Sequence, residues 1–557
     1  MTASDRLAAL ADRYWGAWLE AHPTYATTIG DRRFDDRLDP IGPAARAAQA
    51  SQLRAMRDEL AELVLELDSE RDRTTAAALD ATSSADPDFL AADFHAMTVD
   101  PLDGPQVAFL NLPILQGAAT PTERAAMLAR WRAMPGWLDT LADEHRRGID
   151  EGRPPVRALV DKTIDELHEL LAQPASDWPI TAPARETDDP AFASELEAVV
   201  EDEIRPAFAR YRAMIADDLR EVARDDDHAG LMHVAGGLET YRALARAHTT
   251  VELSPDELHA IGLREIERID REFVELGERL LDARGLDAVL ERLRGDPALR
   301  FSSREEVFET ARRSLDRANA AIPEWFGRLP EAPCEVVRMQ PHEEKHSTIA
   351  YYREPATDGS RPGQYYINTS EPQTRPRYEA EALAFHESVP GHHLQLAIAQ
   401  ELDHLPAFRR FWGSTSYVEG WGLYTERLSE EMGLYSGDLD RFGILSFDAW
   451  RASRLVVDTG LHALGWSRAH AIEFMTAHTA LASNNIVNEV DRYITWPGQA
   501  LAYKVGQLEI RRLREETEAR LGSSWDARRF HDVVLGEGAV PLRVLREVVE
   551  RGLPAPA

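Results

Sequence analysis

A chain of 557 residues with a formal net charge of -33 is long enough to bury a large core and carries the wrong sign for a phosphate backbone, which argues against nucleic acid as its main partner. Hydrophobic residues at 44% and charged residues at 29% are a globular balance, not that of a disordered chain. A single cysteine, Cys334, excludes an internal disulfide and a Cys-type zinc cluster, so any metal must be held by histidines and carboxylates.

The start, Met1 to Leu7, shows no basic region followed by an apolar run, and no later stretch stays apolar for the roughly 20 residues a membrane span needs. With the lone cysteine, this predicts a cytoplasmic protein without a membrane partner. Between 201 and 222, Ile204, Phe208, Tyr211, Ile215, Leu219 and Val222 recur at steps of three and four, which predicts an amphipathic helix with those residues inside. The run Ser254-Pro255-Asp256-Glu257 marks a second helix start: Ser254 caps, Pro255 suits the first helical position, Glu257 completes a capping box, and Leu253 with Leu258 forms a staple. Its apolar series continues through Ile266, Ile269, Phe273 and Leu276. Similar helical patterns occupy 303–321 and 442–485.

The period then changes. Segments 335–339, 347–353 and 364–368 are short, rich in β-branched and aromatic residues, and separated by Pro, Gly and charge, which predicts a small sheet. Stretches 152–155, 174–190 and 354–362 are expected to be loops, and no internal repeat is evident. Three regions follow: 1–330, mostly helical; 331–370, a small sheet; 371–557, a second helical region.

Two histidine clusters compete for a metal. The literal His-Glu-x-x-His string is His342-Glu343-Glu344-Lys345-His346, but charged internal positions, Pro341 and the flanking predicted strands leave no apolar helix to seat it, so a solvated turn is expected there. The second cluster, His386-Glu387-Ser388-Val389-Pro390-Gly391-His392, follows a predicted helix from Pro376 to Val389 containing Ala380, Ala382, Leu383, Ala384 and Phe385, and precedes another. Six steps of ideal helix separate His386 from His392 by about 9 Å of rise. Two nitrogens each about 2 Å from one ion lie within about 4 Å of each other. A distortion at Pro390 and Gly391 is therefore required, and a bulge absorbing two residues would return His392 to the place of an i+4 histidine. His393 is its geometric competitor.

The string Phe385-His386-Glu387-Ser388-Val389-Pro390-Gly391-His392-His393-Leu394-Gln395 resembles the signature of the bacterial family called domain of unknown function 885. It is joined by Tyr417 to Glu426, by Arg454 to His462 and by Trp496 to Lys504, in family order. The resemblance is dense from about 335 to 515 and thinner near Thr249 to Ile269. The family is similar to helical zincin peptidases, which implies a mainly α fold: a large helical body with a small β-sheet above a deep metal-containing cleft, region 1–330 forming one side and 371–557 carrying the metal.

Against that background roles can be assigned. His386 and His392 are the expected ligands of one zinc ion and Glu419, from the Glu-Gly-Trp block, the third; Glu426, two turns on, could support a ligand instead. Glu387 is the expected general base, taking a proton from the attacking water and passing it to the leaving amine. Tyr503, then His462, are candidate donors to the oxyanion. Asp458, four residues before His462, could orient a ligand imidazole. Strand residues Tyr366 and Asn368 could form an edge on which an extended peptide lies. The expected activity is hydrolysis of peptide or small amide bonds. A non-haem iron enzyme with two histidines and one carboxylate, and a non-catalytic metal-containing binding protein, are the alternatives, and Glu387 favours hydrolysis over both.

Overall fold

The computed structural model describes residues 1–339, 344, 349–356, 359 and 361–555. The chain is mainly helical with one three-stranded sheet. Eight helices frame the region of interest: α1 (Pro255–Leu280), α2 (Arg304–Trp325), α3 (Ala380–Glu387), α4 (His392–Gln400), α5 (Thr415–Glu431), α6 (Arg441–Ala463), α7 (Ser483–Thr495) and α8 (Leu501–Leu521). Among the described residues no helix is long and apolar enough to cross a membrane.

Local chemistry sets most of these boundaries. Ser254 accepts from the Glu257 backbone N–H while the Glu257 carboxylate accepts from that of Ser254, so α1 begins on a capping box as expected. Ser303 caps α2 in the same way from its side chain. Residues 190–219 are helical almost throughout, with Ile204, Phe208, Tyr211, Ile215 and Leu219 buried. Val222 lies beyond the last helical turn and is 46% exposed, contrary to its expected place on the buried face. The predicted stretch 442–485 is interrupted: α6 stops before Gly465, whose φ of +74° does not fit a right-handed helix, and further helices run over Arg468–His478 and into α7. Segment 174–190, expected as loop, contains short helical turns and the helix Ala182–Glu186.

The sheet consists of β1 (Cys334–Arg338), β2 (Ala350–Arg353) and β3 (Gly363–Ile367) in the order β1-β3-β2. β3 is parallel to β1, with Val336 opposite Tyr365, and antiparallel to β2, with Tyr352 opposite Tyr365. One face of β3, Tyr365 and Ile367, packs against Ala384 of α3 and against Val307 and Ala311 of α2. That contact seats the sheet on the helix that carries His386. The charged string His342 to His346 lies outside the described residues except for Glu344. This carboxylate is buried, pairs with Arg304 at 2.7 Å and accepts from Thr369, so it ties the end of the sheet to α2 instead of lying in solvent.

A single apolar cluster takes in Leu7, Tyr241, Leu315, Phe385, Trp421 and Leu545, so the boundaries at 330 and 370 do not divide the core. Residues 99–223 build a second cluster around Trp131, Trp178 and Phe208. Helices α5 and α8 run together at a crossing made by Gly420 and Gly506. A Cβ on Gly506 would sit 1.7 Å from the Ser416 carbonyl oxygen and one on Gly420 2.5 Å from the Gly506 backbone. Beside this crossing lies a buried charge network. Asp448 of α6 binds Lys504 of α8, Arg427 of α5 at 2.6 Å and Arg268 of α1 at 2.9 Å, and Lys504 also meets Glu265 at 3.0 Å. Burial alone would raise the Asp448 carboxyl, but Lys504, Arg427 and Arg268 overcome it and hold the group well below the usual carboxylate range.

Removing Asp448 leaves three cations with one fewer counter-charge in a buried place. We expect Asp448→Ala to lose about 3–5 kcal/mol of unfolding free energy at pH 7, measured by denaturant titration. Because the folded-state pKa is depressed, the contribution of Asp448 is present above the unfolded value of 3.8 and is lost as the pH falls through the folded one. The gap between variant and wild type therefore narrows in acid.

Candidate metal centre

The site is built on a helix break. At the end of α3 the Ser388 N–H and Oγ both bond to the Ala384 carbonyl, and Pro390 has no N–H to continue the ladder. Val389–Pro390 is a cis peptide. Gly391 follows with its Cα so close to the preceding turn that a Cβ there would lie 1.9 Å from the His386 carbonyl oxygen. The next helix, α4, then starts at His392, with the Gln395 N–H donating to the Gly391 carbonyl at 3.2 Å. The expected distortion is thus present in a more drastic form: two short helices meet at a corner, in place of a two-residue bulge within one helix. Trp421 of α5 fixes that corner, its indole N–H donating to the Pro390 carbonyl at 3.0 Å.

The corner turns two imidazoles toward each other and toward α5. His386 Nε2 lies 3.8 Å and His392 Nε2 3.6 Å from Glu419 Oε2, and one ligand atom from each of the three falls within 4.8 Å of the others. Ligands about 2.1 Å from a tetrahedral ion are about 3.4 Å apart, so these spacings fit a shared cation with small adjustment. The donor set fits as well: two neutral imidazoles and a carboxylate suit zinc and neighbouring divalent metals. His386 can be this close to α5 because residue 422 is glycine; a Cβ there would stand 2.8 Å from the His386 ring.

Glu426, one further stretch along α5 and buried, accepts from His386 Nδ1 at 2.8 Å. A carboxylate acceptor on Nδ1 fixes the tautomer and leaves Nε2 facing Glu419. Burial would lower the His386 pKa, but Glu419 and Glu426 prevail and raise it to about 9. Burial likewise opposes ionisation of Glu419, yet the two imidazoles hold it well below the usual range. The cluster therefore favours a positive charge at its centre, whether a proton or a metal ion.

His393 points elsewhere. Its Nδ1 meets the Tyr352 hydroxyl at 2.9 Å, its Nε2 meets the Ala332 carbonyl at 3.1 Å, and burial pushes it down to about 4. It joins α4 to the sheet, and His392 is the histidine that joins the cluster.

The other predicted residues have partners of their own. His462 accepts from the Leu231 N–H at Nδ1 and donates from Nε2 to the Tyr493 carbonyl, so neither nitrogen can serve an oxyanion. Asp458 accepts from Tyr241 Oη at 2.6 Å and from the Gly498 N–H at 3.1 Å, and burial raises it to about 7; the acid bonded to His386 is Glu426 instead. Tyr503 lies under the Arg454 guanidinium, 4.2 Å from ring to cation, and hydrogen-bonds Arg492. Gln364 to Asn368 cannot be a free edge, because β3 is the central strand and is bonded on both sides. Tyr366 stacks on Tyr351, and Asn368 is buried, donating to the Glu344 carbonyl and accepting from Ser370.

Sequence reasoning passed over two neighbours. Tyr365, next to the predicted Tyr366, is fully buried, and among the described residues its hydroxyl has no hydrogen-bond partner. Burial first, and then the Glu387 carboxylate, hold its pKa well above 10.0, so it is a phenol close to Glu387. Strand alternation carries the signal, since 365 and 367 share the inward face. Gln395, one turn after His392, is buried with both amide atoms unpartnered, and its place in the His-Glu motif is the one cue the sequence offers.

The bacterial family of proteins of unknown function DUF885 matches residues 23–549. The chain is a DUF885 protein. No curated protein matches it. Among solved structures, this DUF885 chain resembles a "putative lipoprotein" of Colwellia psychrerythraea at 27% identity and a TM-score of 0.91, over 99% of each chain. It also resembles a "putative lipoprotein of unknown function" of Shewanella oneidensis at 17% identity and a TM-score of 0.76, over 97% of this chain and 99% of that one.

Two substitutions test the geometry without touching a ligand. Gly422→Ala pushes the His386 ring out of register and is expected to weaken zinc binding at least tenfold by competition titration, with an unchanged circular dichroism spectrum. Glu426→Gln removes the acceptor that fixes the tautomer and is expected to cost about 10–100-fold in the same titration.

Proposed function

We propose that this protein is a metal-dependent hydrolase of peptide or small amide bonds, with His386, His392 and Glu419 holding one divalent ion, zinc in our reading. The observation that carries the proposal is the meeting of these three side chains at a helix corner, with Glu387 directly following a ligand. The side chains of His392 and Glu419 keep 11% and 21% exposure, so water and substrate can reach the centre; we take the opening above them to be a cleft of the kind found in helical zincin peptidases.

The ion, when bound, supplies Lewis acidity that makes water nucleophilic near neutral pH. Glu387 sits at the end of α3, partly exposed, and takes the proton from the attacking water and delivers it to the leaving nitrogen. Tyr365, a buried phenol held against α3 through Ala384, lies near enough to feel the charge of the Glu387 carboxylate. Glu426 keeps His386 in the ligating tautomer. Two histidines and one carboxylate also suit non-haem iron, but an acid beside the ligand serves proton transfer in hydrolysis and has no general part in oxygen chemistry. The lipoprotein names of the two relatives favour a peptide met outside the cytoplasm over the cytoplasmic placement expected from composition.

Zinc-loaded protein is expected to cleave members of a peptide library, and chelation to abolish the cleavage. Glu387→Gln should retain zinc and lose about 10²–10⁴-fold in kcat. A Glu387→Gln variant with unchanged turnover would sink the mechanism, and absence of any turnover with full zinc occupancy would support a non-catalytic role.

A further inference from the structure

Where α6 and α7 pack together lies a group of three arginines, one of which, Arg451, has no ion-pair partner among the described residues. Arg451 is only 5% exposed, and its Nε and Nη1 are buried without a hydrogen-bond partner among the described residues. No carboxylate there comes within ion-pairing distance of it. Its neighbours are rings: the guanidinium lies 4.6 Å from Phe447 and 4.3 Å from Trp450. One turn on, Arg454 stands 4.7 Å from the same Trp450 and 4.2 Å from Tyr503, with its Nη1 buried and unpartnered. Arg492 adds a third positive charge, bonded to Gln499.

The acid that pairs with this group is already committed. Glu489 accepts from Arg454 at 2.9 Å, Tyr493 at 2.7 Å and Trp450 at 3.1 Å, and lies 3.7 Å from Arg492. Glu379 feels Arg451 electrostatically but takes its hydrogen bond from Ser446 at 2.6 Å, and burial favours its neutral form. Glu489, Glu379 and Asp458 all feel these guanidinium groups, but among the described residues only Glu489 forms ion pairs with them, and none pairs with Arg451. A buried cation with unmet donors is costly, and stacking on rings offsets only part of that cost. A carboxylate, with two oxygens, could accept from the unmet N–H groups of one or both guanidiniums. Arg492 and Glu489 keep 27% and 16% side-chain exposure, which gives a way in from solvent.

We infer that Arg451, with Arg454 and the rings of Phe447, Trp450 and Tyr503, forms a binding site for a carboxylate attached to an apolar or aromatic body. The carboxylate accepts from the unmet N–H groups of Arg451 and Arg454, and the rings take the apolar part. The site is independent of whether the metal centre turns over peptides.

Calorimetric titration of the full-length, chelator-treated protein tests this, because chelation removes a metal ion as an alternative partner for the anion. The probes are N-acetyl-phenylalanine, its amide, and inorganic phosphate. The acid is expected to bind saturably and at least tenfold more tightly than the amide, with phosphate weaker than the acid. Arg451→Met should reduce affinity for the acid at least tenfold while keeping the thermal stability of the wild type, and Arg451→Lys should fall between. Equal binding of acid and amide, no saturable binding of the acid, phosphate binding in preference to the acid, or wild-type affinity in a folded Arg451→Met protein would each overturn the assignment. The comparison of acid with amide needs no variant, so the outcome does not depend on how the substitutions fold.

Discussion

Two imidazole nitrogens that share one ion must lie within about 4 Å of each other, and a continuous helix cannot bring residues 386 and 392 that close. The rest of this site follows from that constraint. The helix has to end after Glu387 and a new one has to begin at His392, with the backbone of Gly391 pressed against the carbonyl of His386 where no side chain fits. The corner needs an anchor, and Trp421 supplies it by bonding the Pro390 carbonyl. Helix α5 must then pass close enough to offer Glu419 and, two turns on, Glu426, which the bare Cα of Gly422 permits. Proposed ligand, proposed supporting acid and anchoring indole thus come from one helix, held against the corner by shared packing.

Such a corner would be mobile on a loose scaffold, since neither α3 nor α4 exceeds 9 residues. The stiffness comes from the longer elements around it. α5 and α8 approach to glycine contact at Gly420 and Gly506, and the sheet packs through Tyr365 and Ile367 onto α3. Residues whose positions are fixed from several sides in this way hold donor atoms to within tenths of an ångström, the tolerance a metal site demands.

Much of this could be read in the sequence, and the division has physical causes. Helix starts at Ser254 and strand positions near 335, 350 and 365 depend on local propensity, so short windows contain them. The pairing of His386 with His392 was accessible because a Pro-Gly break set between two histidines in apolar surroundings disrupts a helix at a cost that bringing their side chains together would justify, whereas Glu419 and Glu426 were picked out by the Glu-Gly-Trp block of the family resemblance. His462 and Asp458 misled because their spacing is right for a shared face but says nothing about which partners that face meets; both turned out to bind backbone and Tyr241. Strand β3 misled for a related reason. A sequence marks a strand but not its neighbours, so the central place of β3 was invisible. The unpaired donors of Arg451 were equally hidden, because Glu489 lies on another helix and its commitments appear only when α6 and α7 are packed.

The network at Asp448 bears on the order in which the chain acquires its shape. Its members stand at 265, 268, 427, 448 and 504, so the buried carboxylate cannot be fully neutralised until segments more than two hundred residues apart have met. Contacts of such long sequence separation form late, after the entropy of closing the intervening loops has been overcome. During synthesis the histidine corner and α5 emerge well before Lys504, and in that interval Asp448 lacks one of its three cations. Commitment to the native arrangement is thereby deferred to the docking of α8, the helix that also brings Gly506 against Gly420. A chain interrupted before that helix would contain every proposed ligand and still lack the frame that aligns them.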